Sequence, residues 1–516
     1  GHPAVGPMAV LSAIQKKINQ EISMLHSQYV SRFFFEKCFP NSISILKRCM
    51  LAFCLVIILI NEGCVPKPTG FIEQSPMSNN TYVESTPLVS IFLLPDEIES
   101  SDLTVTIASI ELFDGEKWLS ALDQPFQYDS FETKNTQVFV KRIAAAQATY
   151  TKIRLTVDGV EIRDGNAAKA LTLTANSVTI ELSSPLRLKR FDRQCLFLVW
   201  DRQASFNQNS QEFSPVFRAY SQEVPLTSEL AYVSCPDIDT VYILRTDTNR
   251  VVGSWPVRGK PTSLQAFNDD EIYIVAEKDR VIKVFELSSG RLKNEIQIPL
   301  IIKPGAMVIN PTKTYAYVLD QESDFAYRID LASGSYGTRV RIGEKPDYAV
   351  YLEDQQRLAV SSSLSQKVYL LDPTTLTTLS VIHSGNSPSG MYTYDGKLYI
   401  AESSANSVMV YDFATGNMVR KSVGMEPVRL IEHDGHIFVA NRLSGTISVL
   451  LPDQLTTLKE IRTGGKPVEM ATSTNRRWLY AIDVGRGRVS VSDLTSHRLH
   501  TNIDLDTVPF DIETID

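Results

Sequence analysis

IFVANRLSGTISVLLPDQLTTLKEIRTGGKP, residues 437–467, holds the period on which the second half of the chain is built. IFVAN (437–441) is an aromatic and β-branched run, a strand by composition. After a polar turn, TISVLL (446–451) alternates apolar and polar residues, the two-residue period of a strand. A second polar turn leads into a fourth strand, and GGKP (464–467) ends the unit at a proline that opens the next one. Such prolines stand at Pro261, Pro304, Pro346, Pro388, Pro427, Pro467 and Pro509, 39 to 43 residues apart. Four short strands in a fixed period near forty residues make one blade of a β-propeller. A single blade cannot bury both faces of its sheet, so blades stack around an axis.

The aromatic residue of the second strand recurs at Tyr232, Tyr273, Tyr317, Tyr399, Phe438 and Tyr480, with Ala359 in the remaining unit. The first of these strands has no proline-led strand before it within its unit. The last proline-led segment, VPFDIETID (508–516), has no second strand after it. The two incomplete ends complement each other. The expectation is an all-β chain with a seven-bladed propeller over 228–516, closed when the C-terminal strand completes the blade begun near Leu230. Closure pairs the strand edge that the first blade would otherwise expose. The quoted stretch resembles the YVTN-repeat family of seven-bladed propellers, and its motif recurs in all seven units. That resemblance implies an extracytoplasmic β-propeller used mostly for binding and surface display, with no single activity.

The front of the chain reads differently. Residues 1–63 are expected to be an upstream extension and an export signal: Lys47-Arg48, then the apolar run CMLAFCLVIILI (49–60), then Gly63-Cys64. Twelve apolar residues suit a signal better than a membrane span. Gly before Cys suits lipoprotein cleavage, which leaves a lipidated Cys64. Ordinary secretory cleavage and a retained N-terminal anchor are the alternatives. The Pro, Ser, Asn and Thr of 64–86 read as a tether. In 87–224, runs such as VSIFLLP (89–95), LTVTIASIELF (103–113), KIRLTVDGVEI (152–162), LTLTANSVTIEL (171–182) and CLFLVWD (195–201) predict a small antiparallel β-sandwich. ATYTKIRLTVDGVEI (148–162), Trp118 and FSPVFR (213–218) resemble the domain of unknown function 4382 family. Members of that family occur near the N-termini of exported bacterial lipoproteins, and the resemblance brings no activity.

A net charge of −8 argues against nucleic acid as a partner. Cys195 and Cys235 are the two cysteines beyond Cys64. They are read either as an interdomain disulfide or as two buried thiols. The sequence contains no haem-attachment, zinc-protease, nucleophile-elbow or phosphate-loop motif, so no cofactor or metal is expected. His433 and His436 flank Asp434-Gly435, a hairpin signal, and read as a solvated turn; His497 and His500 read the same way. Asp320, Glu402, Asn441 and Asp483 recur after the aromatic strand and read as turn caps.

Two residues beyond each proline lie Ser263, Ala306, Tyr348, Gly390, Arg429, Glu469 and Asp511. The proline-led strand is innermost in a propeller, so these positions approach the axis. Tyr348, Arg429, Glu469 and Asp511 are the candidate ligand-binding wall, with their carboxylates ionised at neutral pH beside Arg429. A salt-bridged channel is the plainer reading of the same residues. The function expected is that of a cell-envelope-anchored binding or scaffold protein, without catalysis, presenting the propeller to a protein or glycan. It would be held at the membrane by a lipid. A propeller lactonase or lyase and a surface-layer component are the alternatives. The inner strands carry no histidine, which counts against the enzyme.

Overall fold

A computed structural model describes residues 85–515, apart from 96–101, 123, 132, 134–135, 165–166, 223–228, 268–269 and 453–455. The expected export signal, Cys64 and most of the tether lie outside these residues. The described chain is all-β, with repeated four-stranded antiparallel sheets in a propeller-like arrangement.

Seven such sheets lie between Leu230 and Ile515. The first joins Leu230–Cys235, Thr240–Arg245 and Arg250–Pro256 to the C-terminal strand Ile512–Ile515. The second to seventh sheets begin at Pro261, Pro304, Pro346, Pro388, Pro427 and Pro467, each with four strands in sequence order. Burial follows position in the sheet. In the second sheet, Ile272–Ala276 and Val281–Phe285 are buried, whereas the fourth strand, Arg291–Gln297, is exposed except at Ile296. The middle strands pack on a neighbouring sheet on either side, which explains their near-continuous apolar runs. Separate apolar cores join successive sheets. Tyr273, Val284, Val318 and Tyr327 share one, and Ile447, Val449, Leu479 and Ala481 another. The seventh and first sheets share Tyr480, Ile482, Val233 and Tyr242, so the ring closes.

Closure rests on Ile512–Ile515, antiparallel to Leu230–Val233. The Thr514 hydroxyl also donates to Thr472 O of the seventh sheet at 2.8 Å. Each remaining proline-led strand shifts register just after its proline, for example between Pro346 and Tyr348. Proline donates no ladder hydrogen bond, so a bulge forms there. The recurring polar residues at the end of the second strand are buried and tie the loops at one face. Asp320 accepts from the amides of Ile302 (2.8 Å), Lys303 (3.0 Å) and Glu322 (3.1 Å). Burial opposes its charge, but the Ser323 hydroxyl and these amides hold it below the ordinary carboxylate value. Asp483 accepts from Lys466 N at 2.7 Å, and a Cβ on Gly465 would sit 1.7 Å from its carboxylate. The glycine of GGKP is therefore required by a close approach.

Before the ring, two sheets share a core. One places Leu88–Pro95 between Arg193–Trp200 and Val138–Ala144, with Phe217–Ser221 at the edge. The other is built on Leu103–Phe113, Thr149–Asp164 and Ser177–Arg187. Trp200 is fully buried between them, edge-on to Tyr128 and stacked with Phe217. Two expectations are corrected. The pairing is not wholly antiparallel: Leu88–Pro95 runs parallel to Arg193–Trp200, because the long chain between them allows a crossover. The segment 171–182 is not one strand; Thr172–Leu173 and Ser177–Arg187 pair with different partners.

The two-sheet region and the ring form one compact unit. On Leu88–Pro95, Val89, Ile91 and Leu93 face the region's own core, while Leu88, Phe92 and Leu94 join the core shared with the first and seventh sheets. Polar groups lock this junction. Buried Arg142 donates to Tyr242 Oη at 3.1 Å and to Asp506 O at 2.9 Å, and Ser90 Oγ lies 2.7 Å from Tyr242 Oη. Cys195 and Cys235 are free thiols inside the same core, not a disulfide. The Cys195 thiol donates to Ser254 Oγ at 3.4 Å, and burial pushes its pKa up to about 12, so it stays a thiol.

Removing residues 512–516 strips the closing strand from the first sheet. Loss of buried Ile512 and Ile515 alone costs roughly 4–8 kcal/mol. The truncated protein is expected to melt about 5 °C or more below the full chain in calorimetry.

Candidate functional site

The inner strands expose one edge to the axis, so their outward amides need acceptors. Side chains of the neighbouring inner strand supply them. Ser263 Oγ accepts from Met307 N at 3.3 Å, and Gln265 Oε1 from Ile309 N at 2.7 Å. One step back around the ring, Asp511 Oδ2 accepts from Leu264 N at 2.8 Å, and Glu513 Oε1 from Ala266 N at 3.3 Å. The same two strand positions thus carry a neutral pair in one sheet and an acidic pair in the next.

Arg429 is the hub of the axial cluster. Its Nε donates to Glu469 Oε2 at 2.6 Å, its Nη1 donates to Val428 O at 2.9 Å, and Asp347 Oδ2 lies 3.8 Å away. Its guanidinium sits 4.4 Å from the centre of the Tyr348 ring, a cation–π contact. Gly390 makes room for it: a Cβ there would lie 2.4 Å from Val428 O and 2.8 Å from Arg429 Cα. The structure therefore brings together Tyr348, Arg429 and Glu469, and Asp511 acts on them electrostatically. Ser263 and Ala306 lie on the other inner strands.

Three participants were missed from the sequence. Glu513 and Gln265 sit two residues beyond Asp511 and Ser263, hence on the same strand face, and the two-residue period signals them. Asp347 directly follows its proline. The bulge after Pro346 lets it reach Arg429, and no sequence pattern marks that.

The charge state differs from expectation. Arg429 and Glu469 keep only 19% of their side-chain surface open. Burial opposes the Arg429 charge, but Glu469 and Asp347 outweigh it and hold the guanidinium protonated. Glu469 lies above the ordinary carboxylate value through burial, with Arg429 pulling the other way. Burial and the nearby Glu469 charge push Asp511 up to about 7. Burial and Asp511 push Glu513 up to about 8. Desolvation and mutual repulsion thus outweigh the single cation, and this acidic pair titrates around neutral pH.

The histidines form no comparable site. His433 ends the inner strand Pro427–His433 and His436 opens the next strand, so one inner strand does carry a histidine, contrary to expectation. The two pair across a two-residue hairpin, with Asp434 and Gly435 at φ 49° and 73°. His497 is on a turn, but His500 lies in the outer strand Arg498–Asp504 and stacks on Trp478 at 4.5 Å. The outer strand begins at Arg498, so His500 lies beyond the turn predicted there. Among the described residues, no group of three His, Cys, Asp or Glu side chains could hold a metal ion.

A second feature lies on one face of the ring. In the second to seventh sheets, the turn after the second strand bonds to the loop before the inner strand, as in Gln321 N to Lys303 O and Leu443 N to Met425 O; in the first sheet Phe510 N bonds to Ser234 O at the end of the second strand. All sheets repeat this order, so these loops share one face. Leu300, Ile302, Leu364, Met425, Leu443 and Phe510 lie on them, 42 to 65% exposed. Among the described residues, no large apolar side chain is comparably exposed in the turns of the opposite face. The two-sheet region already docks on the apolar-bearing face: Arg142 reaches Leu505 O and Asp506 O, and Arg193 Nε donates to Ile238 O at 2.7 Å.

Raised carboxylates fix the sign of a pH effect. Asp511 and Glu513 have ordinary values of 3.8 and 4.5. Between those values and about 7 and 8 the folded protein holds protons that the unfolded chain releases. Their stabilising contribution is full below the ordinary values and is lost as pH rises through the folded ones. Asp511→Asn with Glu513→Gln keeps both acceptors and removes the titration. The melting temperature of this double variant is expected to gain on wild type by about 3 °C or more between pH 6 and pH 9. An unchanging difference across that range would show that folding leaves the proton occupancy of both groups unaltered there, and would overturn the raised values.

No family model matches the chain, and no curated protein does. A functionally unknown protein from Desulfotomaculum acetoxidans DSM 771 is similar in structure at 11% identity and a TM-score of 0.50, covering 55% of this chain and 98% of that one. A protein from Lactobacillus plantarum covers 55% of this chain and 98% of its own at 18% identity and a TM-score of 0.47. Virginiamycin B lyase from Staphylococcus aureus covers 49% of this chain and 88% of its own at 12% identity and a TM-score of 0.44. At these identities the likeness is one of fold.

Proposed function

We propose that this protein is an exported, lipid-anchored binding or scaffold protein of a bacterial cell envelope. Its seven sheets are the blades of a YVTN-type propeller, and its two-sheet region is a β-sandwich similar to the domain of unknown function 4382. Residues 1–63 are then removed, Cys64 carries the lipid, and the tether holds the folded part off the membrane. The partner is a protein that presents aliphatic side chains to the loop face bearing Leu300, Ile302, Leu364, Met425, Leu443 and Phe510.

One observation carries this reading. Large exposed apolar residues on loops gather on a single face, and that face continues the contact already made by the two-sheet region. Scattered apolar residues are ordinary on a protein surface, whereas a cluster confined to one face marks an interaction site. Met425 and Leu443 lie on hydrogen-bonded neighbouring loops, so the face is held before a partner arrives. The axial cluster supports a structural role beside it, because its groups satisfy one another and the inner strand edges.

A photo-crosslinking residue in place of Leu443 is expected to give one discrete protein adduct in the native envelope. The same residue in place of Thr415, on the opposite face, is expected to give none. Met425→Asp should abolish the adduct without changing the melting temperature. Equal crosslinking from both faces, or none from either, defeats the docking proposal. Separately, Cys64→Ser is expected to move the protein from the detergent phase to the aqueous phase on phase partitioning. An unchanged partition would show that lipid on Cys64 does not hold it.

A further inference from the structure

The fourth strand of each sheet lies at the outer edge of the ring, and an unpaired strand edge is a template for another strand. In the first sheet, side chains of the two-sheet region complete that edge. Gln137 accepts from Val251 N at 2.8 Å and donates to its O at 3.0 Å, and Gln222 accepts from Ser254 N at 3.0 Å and donates to its O at 3.1 Å. In the first, second, third, fourth, sixth and seventh sheets, the pairing of the third and fourth strands also shifts register. Such a bulge twists an edge away from an incoming strand. The fifth sheet departs from this pattern. Residues 407–411 pair one for one with Met418–Ser422, without a shift. The same unit has the shortest proline interval, 39 residues from Pro388 to Pro427.

The outward groups of this regular edge follow from its ends. Asn417 O accepts from Asp412 N at 3.0 Å, and Val423 N donates to Asn406 O at 2.9 Å. Antiparallel pairs alternate between bonded and non-bonded, so Val419 and Lys421 turn their backbone groups inward, and Met418, Arg420 and Ser422 turn theirs out. Among the described residues, nothing accepts from these three outward amides. Met418 and Val419 beside them are 46% and 55% exposed. The Arg420 side chain is held back against the sheet. Its Nε donates to both carboxylate oxygens of buried Glu402 at 3.0 Å, and its Nη2 to Ser384 O at 2.6 Å. Lys421 and Lys367 have no carboxylate partner among the described residues. Lys367, His383, Asn386 and Arg420 line a hollow beside the strand that contains no Asp or Glu.

We propose that the outer edge of the fifth sheet takes up an extended acidic segment of a partner protein as an added strand. Hydrogen bonds to the outward backbone of Met418, Arg420 and Ser422 supply the affinity, and alternate side chains supply the selectivity. The segment's β-branched residues pack beside Met418 and Val419. Its carboxylates meet Lys421 and the hollow that holds Lys367. A second copy of this chain is the poorer occupant: a two-fold antiparallel pairing about Arg420 sets Arg420 opposite Arg420, and like charges directly opposite are destabilising. Thr415, in the turn between Asp412 and Asn417, lies outside the paired length. The edge is separate from the apolar loop face, so either site can fail without the other.

Fluorescence anisotropy with labelled peptides tests this on a chain of residues 65–516, which contains every described residue. The probes are the peptide TEVEVEVETG, its lysine counterpart TKVKVKVKTG, and the first peptide with its valines and glutamates N-methylated. Only the first is expected to bind. Ser422→Pro removes one outward N–H and no ladder bond, so it should weaken binding by about tenfold or more while leaving the melting temperature unchanged. Lys421→Glu should weaken it by a similar factor. Arg498→Glu, an equal charge change on the outer strand of the seventh sheet, should leave it within about twofold. In amide exchange, the bound peptide should slow the amides of Arg420 and Ser422, a readout that needs no variant to fold. Equal binding of the N-methylated peptide would show charge attraction without strand pairing. That result, no binding of the first peptide, or slowed exchange confined to another strand would overturn the proposal.

Discussion

The antiparallel pairing of Ile512–Ile515 with Leu230–Val233 joins the two ends of the ring, and every inter-sheet core depends on it. A stacked array of sheets has two terminal faces that would expose apolar residues. Here the seventh and first sheets cover each other, and Val233, Tyr242, Tyr480 and Ile482 pack in one core. The first sheet is assembled from residues nearly three hundred positions apart in the chain. Such a non-local contact forms late and at high entropic cost, which favours a cooperative ring over independent blades. The same sheet receives the two-sheet region, whose Leu88, Phe92 and Leu94 join that core.

The inner strands show how an exposed sheet edge is handled when it faces inward. Ser263 and Gln265 satisfy amides of the third sheet with neutral groups. Asp511 and Glu513 do the same for the second sheet with carboxyl groups, whose ionised forms are disfavoured by burial. A neutral acceptor meets the geometric need equally well, so the acids add a sensitivity to pH that the geometry does not require. Arg429 cannot neutralise the whole group. It is committed to Glu469 and Asp347, and it lies over Tyr348.

At the junction, one strand is buried on both sides. Val89, Ile91 and Leu93 serve one core, and Leu88, Phe92 and Leu94 serve another. A charged residue, Arg142, is carried into this interface because Tyr242 and the carbonyls of Leu505 and Asp506 receive its donors. Buried charge of this kind contributes less to stability than to the choice of one docking geometry, since any other arrangement leaves it unpaired.

The proline period, the alternating strands and the unmatched ends were legible in the sequence because they are local or periodic. Side-chain alternation along a strand, and the missing N–H of proline, act within a few residues of the motif. They marked the repeated sheets, the closing strand, and the inner-strand places of Tyr348, Arg429, Glu469 and Asp511. The parallel pairing of Leu88–Pro95 with Arg193–Trp200 was not legible, since nothing local distinguishes a parallel from an antiparallel partner. Asp347 entered the axial cluster through a bulge, and Glu513 through the packing of one inner strand on the next. The protonation of Asp511 was misread for a related reason. Its sequence neighbours reveal a nearby cation, but desolvation depends on how much protein surrounds the group. The free thiols and the apolar loop face likewise belong to tertiary structure alone. Each is defined by residues that the chain brings together only after the ring has closed.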